Sequence, residues 1–429
     1  MMLTFQDFLI PSLGKATIQS PLADTAFVPD AERVVYHTLA SEVTRDAAEK
    51  DGALSFELAG ARERIFHDPS RSRAAILTAG GLCPGLNDVI KSLTITLLAR
   101  YHVSDVYGIR YGYRGLNPAN SLLPLHLSND LVDNIHEHGG TILGSSRGAE
   151  DTKVMVDTLL GMGINMLFCI GGDGTARGAH DLAAEIGRRH LPISVIAIPK
   201  TVDNDISFID QSFGFSTAVR TAGGFITGAH NEAKGAYNGI GLVKVMGRDS
   251  GFIAAYASLA NPFVNYCLVP EEKFTLREGP RALLPHLEQR LARKHHAVIV
   301  VAEGAGQEFF ADAPERRDAS GNKLHNDIGV LLKNEISAYF KERGIEMSLK
   351  YFDPGYSIRS VQAEGEDAVF CSLLAQCAVH AGMAGKTDMM VGHWAGEFTH
   401  VPIPLTTSSR KKVDLKGPLW NGVKTLLCF

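Results

Sequence analysis

The chain has no apolar run near the roughly 20 residues that cross a bilayer. Its opening, MMLTFQDFLIPSLGK, has no basic leader followed by a long apolar stretch, so neither a membrane span nor a secretory signal is expected. Cysteine is sparse. Cys83, Cys169, Cys267, Cys371, Cys377 and Cys428 form no CxxC pair and no Cys–His set with zinc-site spacing. Cys169 and Cys371 lie inside apolar runs and read as buried free thiols. A large net charge is also missing: 42 Lys and Arg against 47 Asp and Glu leave −5. That argues against a dedicated binder of nucleic acid or of an anionic membrane. The reading is a soluble protein of a reducing cytoplasm.

At about 150 residues per domain, 429 residues suggest two or three packed units. Apolar residues at 45% and charged residues at 21% allow a sizeable core and argue against global disorder. Glycine is in surplus, 43 of 429 against an average near 7%. With no collagen-like period, the surplus belongs to particular loops.

Residues 1–72 carry only a weak pattern and read as an extension before the main fold. From Arg73 the texture changes. An apolar run at 74–78 ends in Gly80-Gly81, and Leu86, Val89, Ile90, Leu93 and Leu97 follow at helical spacing. The same order recurs at 166–170, before Gly171-Gly172-Asp173-Gly174, with a helix to about Arg189. A third apolar run, 193–198, precedes Pro199-Lys200-Thr201. Unalternated strands joined by helices predict a parallel α/β sheet. Further strands are expected at 240–245 and 297–302, and helices near 216–233, 327–343 and 366–382. Residues 314–326 read as a polar surface loop.

Ligands of such sheets bind beyond the carboxyl ends of the strands, where glycine lets backbone N–H groups approach phosphate. The loop at 78–85 reads as a plain turn or as such a cradle. Residues 143–148, Leu-Gly-Ser-Ser-Arg-Gly, place Arg147 as a surface charge or as a guanidinium aimed at phosphate. Gly171-Gly172-Asp173-Gly174-Thr175 is more specific. An acid in a phosphate loop repels its ligand unless it holds Mg²⁺; the plainer alternative is a turn with an Asx-type hydrogen bond. The loop at 199–205, Pro-Lys-Thr-Val-Asp-Asn-Asp, sets two carboxylates at i and i+2 beside a lysine. This suits phosphoryl transfer to an alcohol, one carboxylate taking the hydroxyl proton, or equally a polar helix-capping turn.

These motifs, with Met246-Gly247-Arg248, Glu303-Gly304 and Tyr356-Ser357-Ile358-Arg359, resemble the 6-phosphofructokinases. The likeness runs from about Arg73 to Pro404. The nearest look-alikes are the long ATP-dependent forms of plants, trypanosomatids and some bacteria. The resemblance implies two doubly wound, Rossmann-like α/β domains with the active site in the cleft between them. Residues 73–214 with about 358–404 would form an ATP-binding domain, and 215–357 with about 405–429 a sugar-phosphate domain. Gly81, Arg147, Gly148, Gly172, Asp173, Gly174 and Thr175 would hold ATP, with Asp173 on Mg²⁺. Asp203 would be the general base toward the 1-hydroxyl of fructose 6-phosphate, supported by Lys200, Thr201 and Asp205. Thr201, Val202, Met246, Gly247 and Arg248 would line the sugar site. Glu303 would accept from sugar hydroxyls, and Lys350, Tyr356, Ser357, Ile358 and Arg359 would serve the sugar phosphate. A homodimer or homotetramer is implied.

Two positions depart from the short bacterial enzymes of this family, which carry arginine where Gly239 and Lys350 stand here. That leaves the cross-subunit phosphate clamp open. The donor turns on two positions. Pyrophosphate-dependent members place aspartate at Gly174 and lysine at Lys200, while the long ATP-dependent forms pair glycine with lysine, as here. ATP is therefore the expected donor and pyrophosphate the alternative. NAD kinases and lipid kinases share only the Gly-Gly-Asp-Gly-Thr loop, and a non-catalytic module would not need Asp173 and Asp203. The glycines at 80, 81, 85, 139, 140, 144, 148, 171, 172, 174 and 178 cluster at three turns and read largely as a phosphate cradle.

Overall fold

In the computed structural model, which describes residues 3–49, 53–312, 314 and 325–427, the apolar runs become the parallel centres of two sheets. The polar segment 314–326 lies almost wholly outside the described residues, as does Cys428. The strands are β1 (Ile18–Gln19), β2 (Arg33–Val35), β3 (Ser55–Leu58), β4 (Arg64–Ile65), β5 (Arg73–Thr78), β6 (Asp105–Ile109), β7 (Leu125–Leu127), β8 (Met166–Gly171), β9 (Ser194–Pro199), β10 (Gly239–Val245), β11 (Tyr266–Leu268), β12 (His296–Ala302), β13 (Ser348–Phe352), β14 (Met389–Trp394) and β15 (Glu397–Pro402). The larger sheet runs β2-β3-β15-β14-β9-β8-β5-β6-β7, and the smaller β11-β12-β10-β13; β1 pairs with β4 alone.

Two compact units result. The first comprises Met1–Thr201, Ile206–Gly214 and Ser360–Ser409; the second comprises Val202–Asp205, Phe215–Arg359 and Arg410–Phe429. In the first, β14, β9, β8, β5 and β6 are mutually parallel. Every residue of β8 and β9 is buried, as a sheet covered on both faces requires. The helices expected near 86–97, 173–189, 216–233, 327–343 and 366–382 are present as Leu86–Ile95, Asp173–Arg188, Phe215–Gly235, Ile328–Glu342 and Gly365–Met383. The first continues as a π-helical turn, Thr96–Arg100. Cys169 and Cys371 are buried free thiols. No helix among the described residues is long and apolar enough to cross a membrane.

Residues 1–72 supply the antiparallel edge of the larger sheet, β3 pairing with β15 and β2 with β3. Phe8, Leu54 and Phe56 are buried against Val401 and Leu405. The pattern is hard to read because β3 also buries a carboxylate. Glu57 accepts from Arg62 at 3.1 Å, from Lys386 at 2.8 Å and from His400 Nδ1 at 3.1 Å. Burial works against its charge, but His400 and Lys386 more than offset that and hold the carboxyl below its ordinary range. Burial in turn holds His400 below its own ordinary value, against the pull of Glu57.

Glu57→Gln leaves Arg62 and Lys386 short of their counter-charge and is expected to destabilise the first unit by about 3–5 kcal/mol, read as a lowered melting temperature. Because the folded pKa is depressed, Glu57's contribution is full above its unfolded value. It is lost as pH falls through the folded one. The gap between wild type and variant should therefore narrow in melts run at progressively lower pH below about 4; a gap that is constant with pH rejects the assignment.

Candidate active site

The first unit's loops come together because their strands do. β9, β8 and β5 are consecutive parallel neighbours, with Pro199 beside Gly171 and Ile170 beside Thr78, so the loops that follow share one edge of the sheet. Residues 144–148 are laced onto that edge. The Gly80 N–H donates to the Ser146 carbonyl at 3.1 Å, and the Ser145 hydroxyl donates to the Gly80 carbonyl at 2.5 Å. Lys200 ties the third loop to the other two. Its N–H donates to the Gly171 carbonyl at 2.9 Å and its Nζ to the Gly81 carbonyl at 2.7 Å. Gly81, Arg147, Gly148, Gly172, Asp173, Gly174, Thr175, Lys200 and Thr201 thus border one loop cluster, with Arg147 exposed at its rim.

Asp173 opens a helix, with Gly172 as its N-cap. A helix N-terminus favours anions through its unshared N–H groups and its dipole. The Asp173 side chain is 9% exposed and lies 3.7 Å from the Arg177 guanidinium. Among the described residues no group of three or more His, Cys, Asp or Glu can hold a metal ion. One carboxylate beside a phosphate cradle fits Mg²⁺ shared with phosphate oxygens and water, and does not fit an ion caged by protein alone.

The glycines divide by what surrounds them. A Cβ at Gly171 would stand 2.1 Å from the Thr175 hydroxyl, one at Gly178 2.6 Å from the Tyr113 ring, and one at Gly139 1.8 Å from the Ser360 carbonyl oxygen. These positions are glycine because of packing. A Cβ at Gly140, Gly148 or Gly174 would meet nothing within 4 Å. The surplus is therefore only partly a ligand cradle. Gly140 and Gly148 have a positive φ, which favours glycine; Gly174 has neither cause and sits in the first turn of the helix Asp173–Arg188.

The second unit gathers most of the remaining candidates. β10 and β12 are parallel neighbours in register, Val245 beside Ala302, so Met246-Gly247-Arg248 and Glu303-Gly304 leave the sheet side by side. The Glu303 N–H donates to the Val245 carbonyl and that of Gly304 to the Gly247 carbonyl, both at 3.0 Å. β13 flanks β10 on its other side and leads into the short helix Gly355–Arg359. There the Arg359 guanidinium lies 4.5 Å from the centre of the Tyr356 ring, and Tyr356 is exposed. Asp203 accepts from the Arg248 backbone N–H at 3.4 Å. Desolvation pushes its carboxyl well above the ordinary range; the charges of Asp205 and Glu303 add to this, and Arg410 opposes it. Glu303 is also raised, first by burial, against the pull of Lys244, Arg248 and Arg359.

Two assignments change, and one residue is added. Ile358 is wholly buried in the core that also takes Met246 and the partly buried Val202. Its side chain serves the fold and leaves only backbone for a ligand. Lys350 sits mid-way along β13, opposite Gly241, and not with Ser357 and Arg359 beyond the strand's end. In the basic run 408–412, Ser408, Ser409 and Lys412 are exposed, but Arg410 and Lys411 are half-buried and engaged. Arg410 donates to Asp205 Oδ2 at 2.5 Å, and the Asp205 side chain is 3% exposed. Lys411 donates its N–H to the Asp205 carbonyl at 2.8 Å and lies 5.4 Å from the Phe252 ring centre. Sequence reasoning missed Arg410 because a short basic run usually is solvated. Only the fold shows that Asp205 is buried and needs a cation; the polar sequence around it carries no such signal. Gly239 has a packing cause: a Cβ there would stand 2.0 Å from the Ala233 carbonyl oxygen, so arginine does not fit.

A phosphofructokinase family model matches residues 73–382. The chain belongs to the phosphofructokinase family. It is 47% identical over 430 residues to an ATP-dependent 6-phosphofructokinase of Borreliella burgdorferi, covering 97% of this chain and 95% of that one. An enzyme of the same name from Trypanosoma brucei brucei is 46% identical, over 86% of this chain and 76% of its own. ATP-dependent 6-phosphofructokinase 7 of Arabidopsis thaliana is 44% identical, over 94% and 83%. The likeness to such relatives thus reaches beyond residues 73–404. The fold is shared with a solved pyrophosphate-dependent phosphofructokinase of Marinobacter aquaeolei at a TM-score of 0.66 and 20% identity, covering 83% of this chain and 92% of that one.

The two kinds of glycine separate experimentally. Gly174→Ala is expected to leave thermal stability unchanged or raise it by up to about 1 kcal/mol. Gly171→Ala should destabilise by roughly 1–3 kcal/mol through its clash with Thr175. Equal melting temperatures for the two variants would contradict the division.

Proposed function

We propose that this chain transfers the γ-phosphoryl group of ATP to the 1-hydroxyl of fructose 6-phosphate, giving fructose 1,6-bisphosphate and ADP, the committed step of glycolysis. The observation that carries the reading is Asp203, a carboxylate desolvated and set against Asp205 and Glu303, so that it is more basic than usual. A base works best with a pKa drawn toward the operating pH. The relatives' shared name, at 43–47% identity, supports ATP as the donor, and so does the open space at Gly174.

In this reading the first unit binds the donor and the second the sugar phosphate. Gly81, Gly148 and the Gly172–Thr175 turn offer backbone N–H groups to the donor's phosphates, and Arg147 and Lys200 offer charge. Asp173 would hold Mg²⁺, which neutralises phosphate charge when bound. Glu303 accepts from sugar hydroxyls, while Arg248 and Met246-Gly247 border the sugar. Arg359, stacked on Tyr356, clamps its phosphate, with Ser357 adjacent. Asp203 takes the 1-hydroxyl proton as that oxygen bonds to the γ-phosphorus. The bond from phosphorus to the β,γ-bridging oxygen breaks, and that oxygen leaves with ADP. Thr201 and Asp205 hold the loop that presents the base. We place the protein in the cytoplasm as a homodimer or homotetramer.

A coupled assay of the purified protein is expected to show fructose 6-phosphate-dependent turnover with ATP and none with pyrophosphate; the reverse overturns the donor assignment. Asp203→Asn should cut kcat by about 10²-fold or more with little change in KM. Asp203 must be ionised to accept a proton, and its pKa is raised. The acidic limb of kcat/KM should therefore lie above the ordinary carboxylate range, with activity falling as pH drops through it. A limb near pH 4 would reject Asp203 as the base.

A further inference from the structure

We propose that Arg410, in the chain's last segment, is a positioning residue for phosphoryl transfer: it grips Asp205 and through it fixes the loop that presents Asp203. The inference rests on the catalytic reading of Asp203 given above.

Arg410 does not act as a stray surface charge. Its guanidinium bonds to Asp205 at 2.5 Å, on a side chain that is 3% exposed. The segment that carries it is fastened on both sides of that bond. The Lys411 N–H donates to the Asp205 carbonyl at 2.8 Å. The Ser250 hydroxyl donates to the Lys411 carbonyl. Glu271 accepts from the Val413 N–H at 2.9 Å and from the Gly251 N–H at 3.0 Å. Residues 410–413 thus form a strap that ties the Asp203–Asp205 loop to the turn after β10, whose Arg248 N–H bonds to Asp203.

The charges that act on Asp203 are Asp205 on its own loop, Glu303 from the end of β12 and Arg410 from the strap, and the Arg248 backbone N–H donates to it from the end of β10. Arg410 is the cation that neutralises Asp205. Without it, the Asp205 charge weighs more heavily on Asp203, and the strap keeps only its backbone bond, from the Lys411 N–H, to the loop. Two effects should then appear together. Turnover falls because the base is less well placed, and the acidic limb moves to higher pH because Asp203 holds its proton more tightly.

The test compares wild type, Arg410→Gln, Arg410→Lys, Asp205→Asn and the Asp205→Asn/Arg410→Gln double variant in the ATP-coupled assay across pH. Arg410→Gln is expected to lower kcat about tenfold or more, with KM for ATP little changed, and to move the acidic limb up by about one pH unit. Arg410→Lys should recover most of both. In the Asp205→Asn background, Arg410→Gln should add no further loss. An unmoved acidic limb overturns the proposal, as does a loss in the double variant equal to the sum of the single ones. If Arg410→Gln does not fold, Arg410→Lys carries the test: an acidic limb moved up by about one pH unit together with a kcat lowered about tenfold overturns it, and near-wild-type values support it. Wild-type protein that makes no fructose 1,6-bisphosphate with either donor removes the functional reading itself, which is distinguishable from a wild-type-like Arg410→Gln.

Discussion

Asp203 and Asp205 place two like charges two positions apart on one short loop, where water is largely excluded. Such a pair raises the proton affinity of at least one member. The loop can keep that arrangement only if each carboxylate is answered separately, and the second unit answers from different elements. The Arg248 N–H comes from the turn after β10, and Arg410 from the chain's last segment. Glu303 adds a third negative charge from β12, against which Lys244, Arg248 and Arg359 work. Lys244 is itself held at 2.9 Å by both Asp327 and Asp353. The register of β10 with β12 and β13 therefore decides the electrostatics as well as the shape. Slipping one strand by a residue would reverse its faces and separate charges that now offset one another.

The first unit solves a different problem, that of keeping a loop edge open while fixing it in place. Its fixed points are packed glycines and backbone bonds. Gly171 exists for Thr175 and Gly178 for Tyr113, and Lys200 spends its ammonium on the Gly81 carbonyl. Gly174 is held by nothing of this kind. Gly187, Gly224 and Gly228 are helical glycines with as much open space, so space alone does not mark a ligand. What sets Gly174 apart is its place in the first helical turn, at the loop edge, and it is that place, and not the glycine count, on which the proposed donor assignment draws.

Much of this was legible from the sequence because buried parallel strands announce themselves. The runs at 74–78, 166–170 and 193–198 are apolar without alternation and each ends at a loop with special residues, so strand, loop and helix could be placed within a residue or two. Short antiparallel strands offer no such signal. β2 has three residues and β3 four, and β3 buries Glu57, so the edge that residues 1–72 build was hidden. Ile358 shows a second limit. Motif membership placed it beside a ligand, whereas its side chain fills the core under the motif. Arg410 shows a third. Its partner lies 205 residues away, a separation no local pattern spans.

The positions at Gly239 and Lys350 can be understood in the same terms. Gly239 begins β10 directly against the helix Phe215–Gly235, where the Ala233 carbonyl leaves no room for a Cβ. A cation at that position would require the helix to stand further from the sheet, which would open the core formed by Ala222, Ile226, Ala229 and the strands beneath them. Glycine at this position thus goes with close helix–sheet packing. Lys350 is under no such constraint. It is exposed, on a strand that pairs with β10 along one side, and a lysine there needs only its ammonium in water. The two positions therefore differ in kind. One is closed to arginine by the backbone of its own unit, and the other is open to either cation.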